Sequence, residues 1–124
     1  LRGETGDASV VGRYLPQPLA CDAVGRIDRL DALLPKGFIL LGNDLDPSNL
    51  LTPEEQADWD ALGASYVAVR PRTGYTRAAS DLVDLEDALL PWFDRYGVQA
   101  IAVRPDKFVA AADKTGLAAP VSQR

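Results

Sequence analysis

The chain has 124 residues, enough for one domain with a hydrophobic core, and 47% hydrophobic and 25% charged residues are typical of a soluble globular protein. Its net charge of -5 argues against binding to nucleic acid or to an anionic membrane, and no apolar run approaches the roughly 20 residues of a membrane-spanning helix. With no histidine and one cysteine, the chain excludes histidine-based triads, the usual zinc sites and an intrachain disulfide, and we expect a reducing cytoplasm as its compartment.

The first 18 residues are interpreted as a lead-in. Residues 1–8 are polar and rich in glycine, and Pro16 and Pro18 favour an extended or irregular backbone. The chain starts with Leu1 and contains no methionine, so we expect an excised domain or a trimmed product. Residues 1–18 would then link this domain to a preceding one.

A hairpin, a short helix and a buried strand are predicted next. A turn signal inside residues 19–27 predicts a small β-hairpin, and a short helix follows over about 30–34. Residues 38–41 are a continuous apolar run, which is typical of a strand covered on both faces. Residues 42–49 are predicted to form a loop.

The sequence then gives a clear helix start. Thr52 can cap the helix, Pro53 suits its first turn, and Glu55 completes a capping box. The helix carries Trp59 on its apolar face, and Gly63 can end it.

A second buried strand is predicted over residues 64–70, followed by a turn-rich loop over 71–76. Asp84 is predicted to cap a helix that ends at Gly97. Pro91 falls inside this helix, where it removes one backbone hydrogen bond. Either the helix bends there or it begins after Asp84.

A second hairpin is predicted near the end of the chain. Residues 98–103 are apolar on both faces, Pro105 and Asp106 favour a turn, and Phe108 restarts an apolar strand. Residues 113–124 are small and polar, and we expect a tail that frays, with one helical turn at most.

The resulting fold class is α/β, with a thioredoxin-like mixed central sheet, helices on both faces, an N-terminal β-hairpin and a C-terminal β-hairpin. The domain is predicted to span residues 19–112, with a tail over 113–124. A short sequence recurs in residues 67–71 and 101–105, which indicates two neighbouring core strands.

Redox chemistry is the first activity that a thioredoxin-like fold suggests. Such an enzyme carries a thiolate just after the first central strand, at a helix N-terminus that lowers its pKa. Residues 42–55 occupy this place and contain no cysteine. Cys21 lies before the strand, so a structural thiol is favoured, and a thiol-dependent redox protein using Cys21 is kept as an alternative.

Arginine and acidic residues give the other candidates. Arg70 and Arg104 end two predicted strands and would form a small-ligand or anion-binding site, although ion pairs are the favoured interpretation. Asp44, Asp46 and Asn49 have incomplete spacing for a calcium loop, so a solvated loop is favoured. No residue is assigned a catalytic, cofactor-binding or metal-binding role.

Seven segments together resemble one family. They are residues 12–18, 22–26, 30–34 and 37–41, Trp59, residues 62–64, and the Val-Arg-Pro-Asp-Lys-Phe-Val run of residues 103–109. In this order they are similar to the C-terminal domain of FAD-dependent aromatic-ring hydroxylases, most closely the hydroxyphenylpropionate hydroxylases and more distantly the phenol hydroxylases. The resemblance covers nearly the whole chain. Gly6 to Ala8 also resembles a Gly-Asp element of flavin hydroxylases, but chance is the favoured explanation.

The resemblance implies a non-catalytic structural or assembly domain. In the family, the complete enzyme uses FAD and NAD(P)H to insert one oxygen atom into a phenolic ring. The dinucleotide-binding glycine motif and the substrate site of these enzymes lie in the larger N-terminal part. The C-terminal domain is thioredoxin-like without the redox cysteines, and it is associated with packing on the FAD and substrate domains and with homo-oligomer contacts. Residues 1–18 would be the linker from that missing catalytic region, and no cofactor is expected in this fragment.

Overall fold

The computed structural model describes residues 10–73 and 78–119. A single mixed sheet forms its centre. The strands are β1 (Leu19–Asp22), β2 (Ile27–Arg29), β3 (Ile39–Asn43), β4 (Ser65–Arg70), β5 (Leu82–Asp84), β6 (Ala100–Val103) and β7 (Val109–Ala112). Their order across the sheet is β2-β1-β5-β4-β3-β6-β7, with β3, β4 and β5 parallel to one another and β1, β6 and their hairpin partners completing the sheet in antiparallel pairs.

Helices cover both faces of this sheet, as predicted. The helices are α1 (Leu30–Leu33), α2 (Pro53–Ala61) and α3 (Leu89–Tyr96), and two 3₁₀ turns span Pro47–Leu50 and Asp113–Thr115. Helices α1 and α3 pack on the face that carries Ile39 and Leu41. Helix α2 packs on the opposite face, where Trp59 contacts the cluster around Leu40. The two faces follow from the alternation of side chains along β3.

The predicted start of α2 is confirmed. The Thr52 side-chain oxygen accepts a hydrogen bond from the Glu55 N–H at 3.1 Å, and the Glu55 carboxylate accepts one from the Thr52 N–H at 3.0 Å. Pro53 occupies the first helical position, where no N–H is needed. Gly63 follows the helix with φ of +73°, a left-handed conformation that glycine adopts without steric cost.

Helix α3 begins later than Asp84, which is the second of the two alternatives that Pro91 left open. Residues Leu82–Asp84 form the short strand β5, which the sequence analysis missed, and the helix begins at Leu89. The buried Asp84 carboxylate accepts hydrogen bonds from the N–H groups of Ala88, Leu89 and Leu90 at 3.2, 2.7 and 2.9 Å. Asp84 therefore does cap the helix, across a four-residue connection. Pro91 falls in the first turn, where the missing N–H has no helical partner to lose.

Both predicted hairpins are present. Strand β1 pairs with β2, and β6 pairs with β7. In the second hairpin, the Lys107 N–H donates to the Arg104 carbonyl at 2.8 Å, and Lys107 itself has φ of +72°. The turn around Pro105 and Asp106 thus closes the sheet as expected.

The C-terminal segment is packed rather than frayed as far as Ala119. The Trp59 indole N–H donates to the Leu117 carbonyl at 2.8 Å, and the side chains of Leu117 and Ala119 are buried beside it. The prediction of a fraying tail from residue 113 is therefore wrong for residues 113–119. Residues 120–124 lie outside the described part of the chain.

The lead-in is likewise packed from Val10 onward, whereas residues 1–9, with the Gly6 to Ala8 element, lie outside the described residues. Val10 and Leu15 are buried in the core under α3. The Gly12 N–H donates to the Val109 carbonyl at 2.8 Å, and Tyr14 forms a bridge with Phe108. This segment lies along β7, so the packed unit begins earlier than residue 19.

No helix in the described ranges is long and apolar enough to cross a bilayer. The longest, α2, has nine residues, about 14 Å at the usual rise of an α-helix.

The hydrogen bond between Trp59 and Leu117 gives the first prediction. Trp59→Phe should lower the free energy of unfolding by about 2 kcal/mol, because it removes ring volume and leaves the buried Leu117 carbonyl without its donor. Urea denaturation followed by circular dichroism measures the loss. Trp92→Phe is the matched control, since Trp92 is only half-buried on the other face. Equal losses in the two variants would contradict this account.

Candidate functional site

The carboxyl edge of the parallel strands is the place to look for chemistry. Ligands of open α/β sheets bind outside the carboxyl ends of the strands. Here β3 ends at Asn43, and Asp44 follows with φ of +57°. The chain then passes through the first 3₁₀ turn into α2. This is the place where a thioredoxin-like enzyme would carry its thiolate, and it holds no cysteine.

Two ion pairs occupy this edge instead. The Arg70 guanidinium lies 3.1 Å from the Asp81 carboxylate and 3.2 Å from the Asp44 carboxylate. Side-chain exposure is 9% for Arg70 and 3% for Asp81, while Asp44 reaches solvent. One cation at the end of β4 thus ties together two connections, the one after β3 and the one between β4 and β5.

The charge of Arg70 is held in place by its partners. Burial alone would lower the pKa of the guanidinium, but the hydrogen bonds and negative charges of Asp81 and Asp44 outweigh it and raise the pKa. The donors of Arg70 are directed at carboxylates of the same chain. An incoming anion would have to compete with both of them.

Arg104 lies at the other end of the sheet. Strand β4 runs parallel to β3, whereas β6 runs antiparallel to it, so the carboxyl ends of β4 and β6 point to opposite edges. Arg104 pairs with Asp106 at the surface. The proposed anion site between Arg70 and Arg104 is therefore wrong, and so is the interpretation of residues 67–71 and 101–105 as neighbouring strands, because β3 separates them.

Cys21 lies in β1, opposite Ile27 of β2 and Val83 of β5. Its thiol is partly exposed and lies 3.4 Å from the Asp22 carbonyl. The thiol sits on a strand, away from the helix N-terminus at which a thioredoxin-like enzyme activates its cysteine. This placement fits the structural role that the sequence favours.

The acidic loop has a structural explanation. Asp44 contacts Arg70, and the Asp46 carboxylate accepts hydrogen bonds from the backbone and side chain of Ser48 at 2.9 and 2.8 Å. Within residues 10–73 and 78–119, no three side chains of the metal-binding types form a group that could hold an ion. Asp44 and Asp46 are thus engaged by groups of the same chain.

Sequence reasoning missed two residues at this edge. A side chain at Gly42 would place its first carbon 2.1 Å from the Leu45 carbonyl oxygen, so the loop after β3 can fold back only over glycine. A glycine directly after the apolar run of residues 38–41 could have indicated this close approach of the backbone. Asp81 gave no such signal, because its partner Arg70 is eleven residues away and meets it only in the folded sheet.

A partly open cavity of about 480 Å³ lies at the opposite, amino end of β4. Its lining combines apolar side chains with the polar residues Asp22, Ser65, Tyr66 and Ser80. The Asp22 carboxylate accepts from the N–H groups of Val24 and Arg26 in the hairpin turn. Burial, together with the hydrogen bond and charge of Asp60 2.6 Å away, raises the pKa of Tyr66 far above its usual range. These groups are engaged in structure and offer no acid and base pair.

Comparison with protein families matches residues 12–124 to the family described as HcaD C-terminal domain. A 3-(3-hydroxy-phenyl)propionate/3-hydroxycinnamic acid hydroxylase of Burkholderia cenocepacia (strain HI2424) is 39% identical over 124 residues, which cover 92% of this chain and 23% of that protein. The 3-(3-hydroxy-phenyl)propionate/3-hydroxycinnamic acid hydroxylase 2 of Burkholderia vietnamiensis (strain G4 / LMG 22486) is 36% identical over 126 residues. This alignment covers 94% of this chain and 23% of that protein. The chain thus spans about a quarter of the length of these curated relatives.

Solved structures agree with the family and the fold. The ternary complex of aklavinone-11 hydroxylase with FAD and aklavinone aligns with a TM-score of 0.51 and 26% identity, over 89% of this chain and 19% of that one. The thioredoxin domain of a thiol-disulfide oxidoreductase from Bacteroides vulgatus aligns with a TM-score of 0.53 and 15% identity, over 87% and 91%. The second alignment concerns the fold alone, and it confirms the predicted thioredoxin-like architecture.

The buried ion pair gives the second prediction. Asp81→Asn should destabilise the chain by about 3 kcal/mol, because it leaves the buried Arg70 charge with one exposed partner. Asp106→Asn removes an exposed ion pair of the same type and should cost less than about 1 kcal/mol. Thermal and urea unfolding of both variants measure the difference. A small effect at Asp81 would show that solvent, rather than the carboxylate, balances Arg70.

The placement of Cys21 on strand β1 gives the third prediction. The purified chain should not turn over disulfide or peroxide substrates in the presence of a thiol reductant, and Cys21→Ser should behave like the parent chain. Turnover that is lost in Cys21→Ser would instead support the thiol-dependent alternative. Circular dichroism of the variant confirms that any loss does not come from unfolding.

Proposed function

The chain belongs to the HcaD C-terminal domain family, and from this premise we propose that it serves as the non-catalytic structural domain of a flavin-dependent aromatic hydroxylase. The observation that carries the proposal is the family match over residues 12–124, together with curated hydroxylases of which the chain spans 23%. On this proposal the whole protein inserts one oxygen atom into a phenolic substrate in the catabolism of aromatic compounds, in the cytoplasm.

The chemistry is assigned to the rest of the hydroxylase. A bound FAD supplies the oxygen-activating chemistry, and NAD(P)H supplies the electrons, both in the N-terminal part of the whole protein. The residues of this chain support such a division. It lacks histidine and a dinucleotide-binding glycine motif, and the guanidinium at its carboxyl edge is engaged by Asp44 and Asp81.

The FAD and substrate domains of the same protein are the proposed partners. Among the described residues, the chain is packed from Val10 onward, beside β7. On this side Tyr14 and Phe108 stack edge to face, with ring centroids 5.1 Å apart, and remain 52% and 38% exposed. Exposed aromatic pairs of this kind are suited to a protein contact. We propose that the preceding domain packs against this aromatic pair. We also propose that the present chain contributes homo-oligomer contacts.

Cofactor binding by the isolated chain tests the proposal and gives the fourth prediction. After incubation with FAD and gel filtration, the chain should carry no flavin absorbance, and it should not oxidise NADH or NADPH with or without 3-(3-hydroxyphenyl)propionate. The full-length Burkholderia cenocepacia hydroxylase, treated in the same way, is the positive control. Stoichiometric FAD uptake by the 124-residue chain would overturn the proposed division of labour.

A further inference from the structure

One half of the sheet lacks a helix on its second face. Helix α2 packs over β3 and β6 through Trp59, whereas the side chains of β2, β1 and β5 on the same face have no helix above them among the described residues. We define the open strip as the apolar side chains on this part of the face. They are Leu19, Cys21, Ile27 and Val83.

Strand alternation identifies the face of the open strip. Ala20 and Leu82 belong to the core under α1 and α3, so their neighbours Leu19, Cys21 and Val83 point to the opposite side. Their side chains are partly exposed, and Ile27, which pairs with Cys21, is 59% exposed. An apolar strip that reaches the edge of a sheet is a candidate contact surface.

The outer edge of β2 offers backbone groups next to this strip. Among the described residues, β2 has β1 as its only strand neighbour. The Asp22 N–H donates to the Arg26 carbonyl at 2.9 Å, so residues 22 and 26 are a hydrogen-bonded pair. The next pair, Cys21 and Ile27, is then non-hydrogen-bonded, and the N–H and C=O of Ile27 point away from β1.

This edge is complementary to itself. If two copies pair antiparallel about a two-fold axis at Ile27, each Ile27 meets its counterpart, and each Arg26 meets the Asp28 of the other copy. Within one copy Arg26 and Asp28 pair with each other at 3.4 Å, and their side chains are 57% and 45% exposed, so the two pairs can exchange partners across the axis. A two-fold pairing of this kind closes on itself and joins the two open strips into one surface.

We propose that the outer edge of β2, with Ile27 of the open strip at its centre, forms the contact between two copies of this chain. The inference rests on the assembly role proposed above and names the surface that performs it. A three-residue strand buries much less than the roughly 800 Å² per partner of a standard interface, so the isolated chain should dimerise weakly, with a Kd on the order of 0.1–1 mM.

Sedimentation equilibrium of the isolated chain over a range of concentrations tests the inference and gives the fifth prediction. The chain should dimerise, and Ile27→Lys should weaken the dimer at least about tenfold, because two ammonium groups would meet at the axis. Leu50→Lys is the matched control: Leu50 is 37% exposed but lies in the first 3₁₀ turn, away from β2, so its dimer should match that of the unmodified chain.

Exchanging the charges of Arg26 and Asp28 distinguishes this strand pairing from non-specific association of apolar surfaces. Arg26→Asp alone places carboxylates opposite one another and should weaken the dimer, whereas Arg26→Asp with Asp28→Arg should restore most of it. A chain that stays monomeric at about 2 mM, or a dimer unaffected by Ile27→Lys, would overturn the inference. Neither result bears on FAD uptake, so the proposed function can stand or fail separately.

Discussion

The burial of β3 on both faces is the constraint on which the rest of the structure depends. Ile39, Leu40 and Leu41 are fully buried, although successive side chains of a strand point in opposite directions. Apolar cover is therefore required above and below the same strand. Helices α1 and α3 with the N-terminal segment provide it on one face, and α2 with Leu117 and Ala119 provides it on the other. The two layers, and the position of the carboxyl edge, follow from that requirement.

At the carboxyl edge, ion pairs occupy the place where a thioredoxin-like enzyme would carry its thiolate. The loop after β3 folds back over Gly42 and is fixed by the hydrogen bond from the Asp44 N–H to the Val69 carbonyl at 2.8 Å. The guanidinium of Arg70 then joins this loop to Asp81. A cation held by two carboxylates gives rigidity and no nucleophile. This arrangement is consistent with the proposed structural role.

Local signals in the sequence predicted the elements that depend on local interactions. Thr52, Glu55 and Gly97 act within a few residues of themselves, and the structure has them as expected. Strand β5 escaped prediction because its three residues become a strand only by pairing with β1 and β4. The burial of Leu117 and Ala119 depends in the same way on Trp59, almost sixty residues earlier. The relative placement of Arg70 and Arg104 required the strand order, which no short pattern contains.

The pairing of the N-terminal segment with β7 has a mechanical consequence. Gly12 and Leu15 donate to the carbonyls of Val109 and Lys107, and the Val109 N–H donates to the Arg13 carbonyl, at 2.8 to 2.9 Å. Hydrogen bonds between antiparallel strands lie perpendicular to the chain direction, so a pull along the segment loads all three in shear at the same time. Residues 10–15 are therefore firmly attached to the sheet by these three hydrogen bonds. Forces that reach residue 10 from a preceding domain would pass directly into the sheet through these hydrogen bonds.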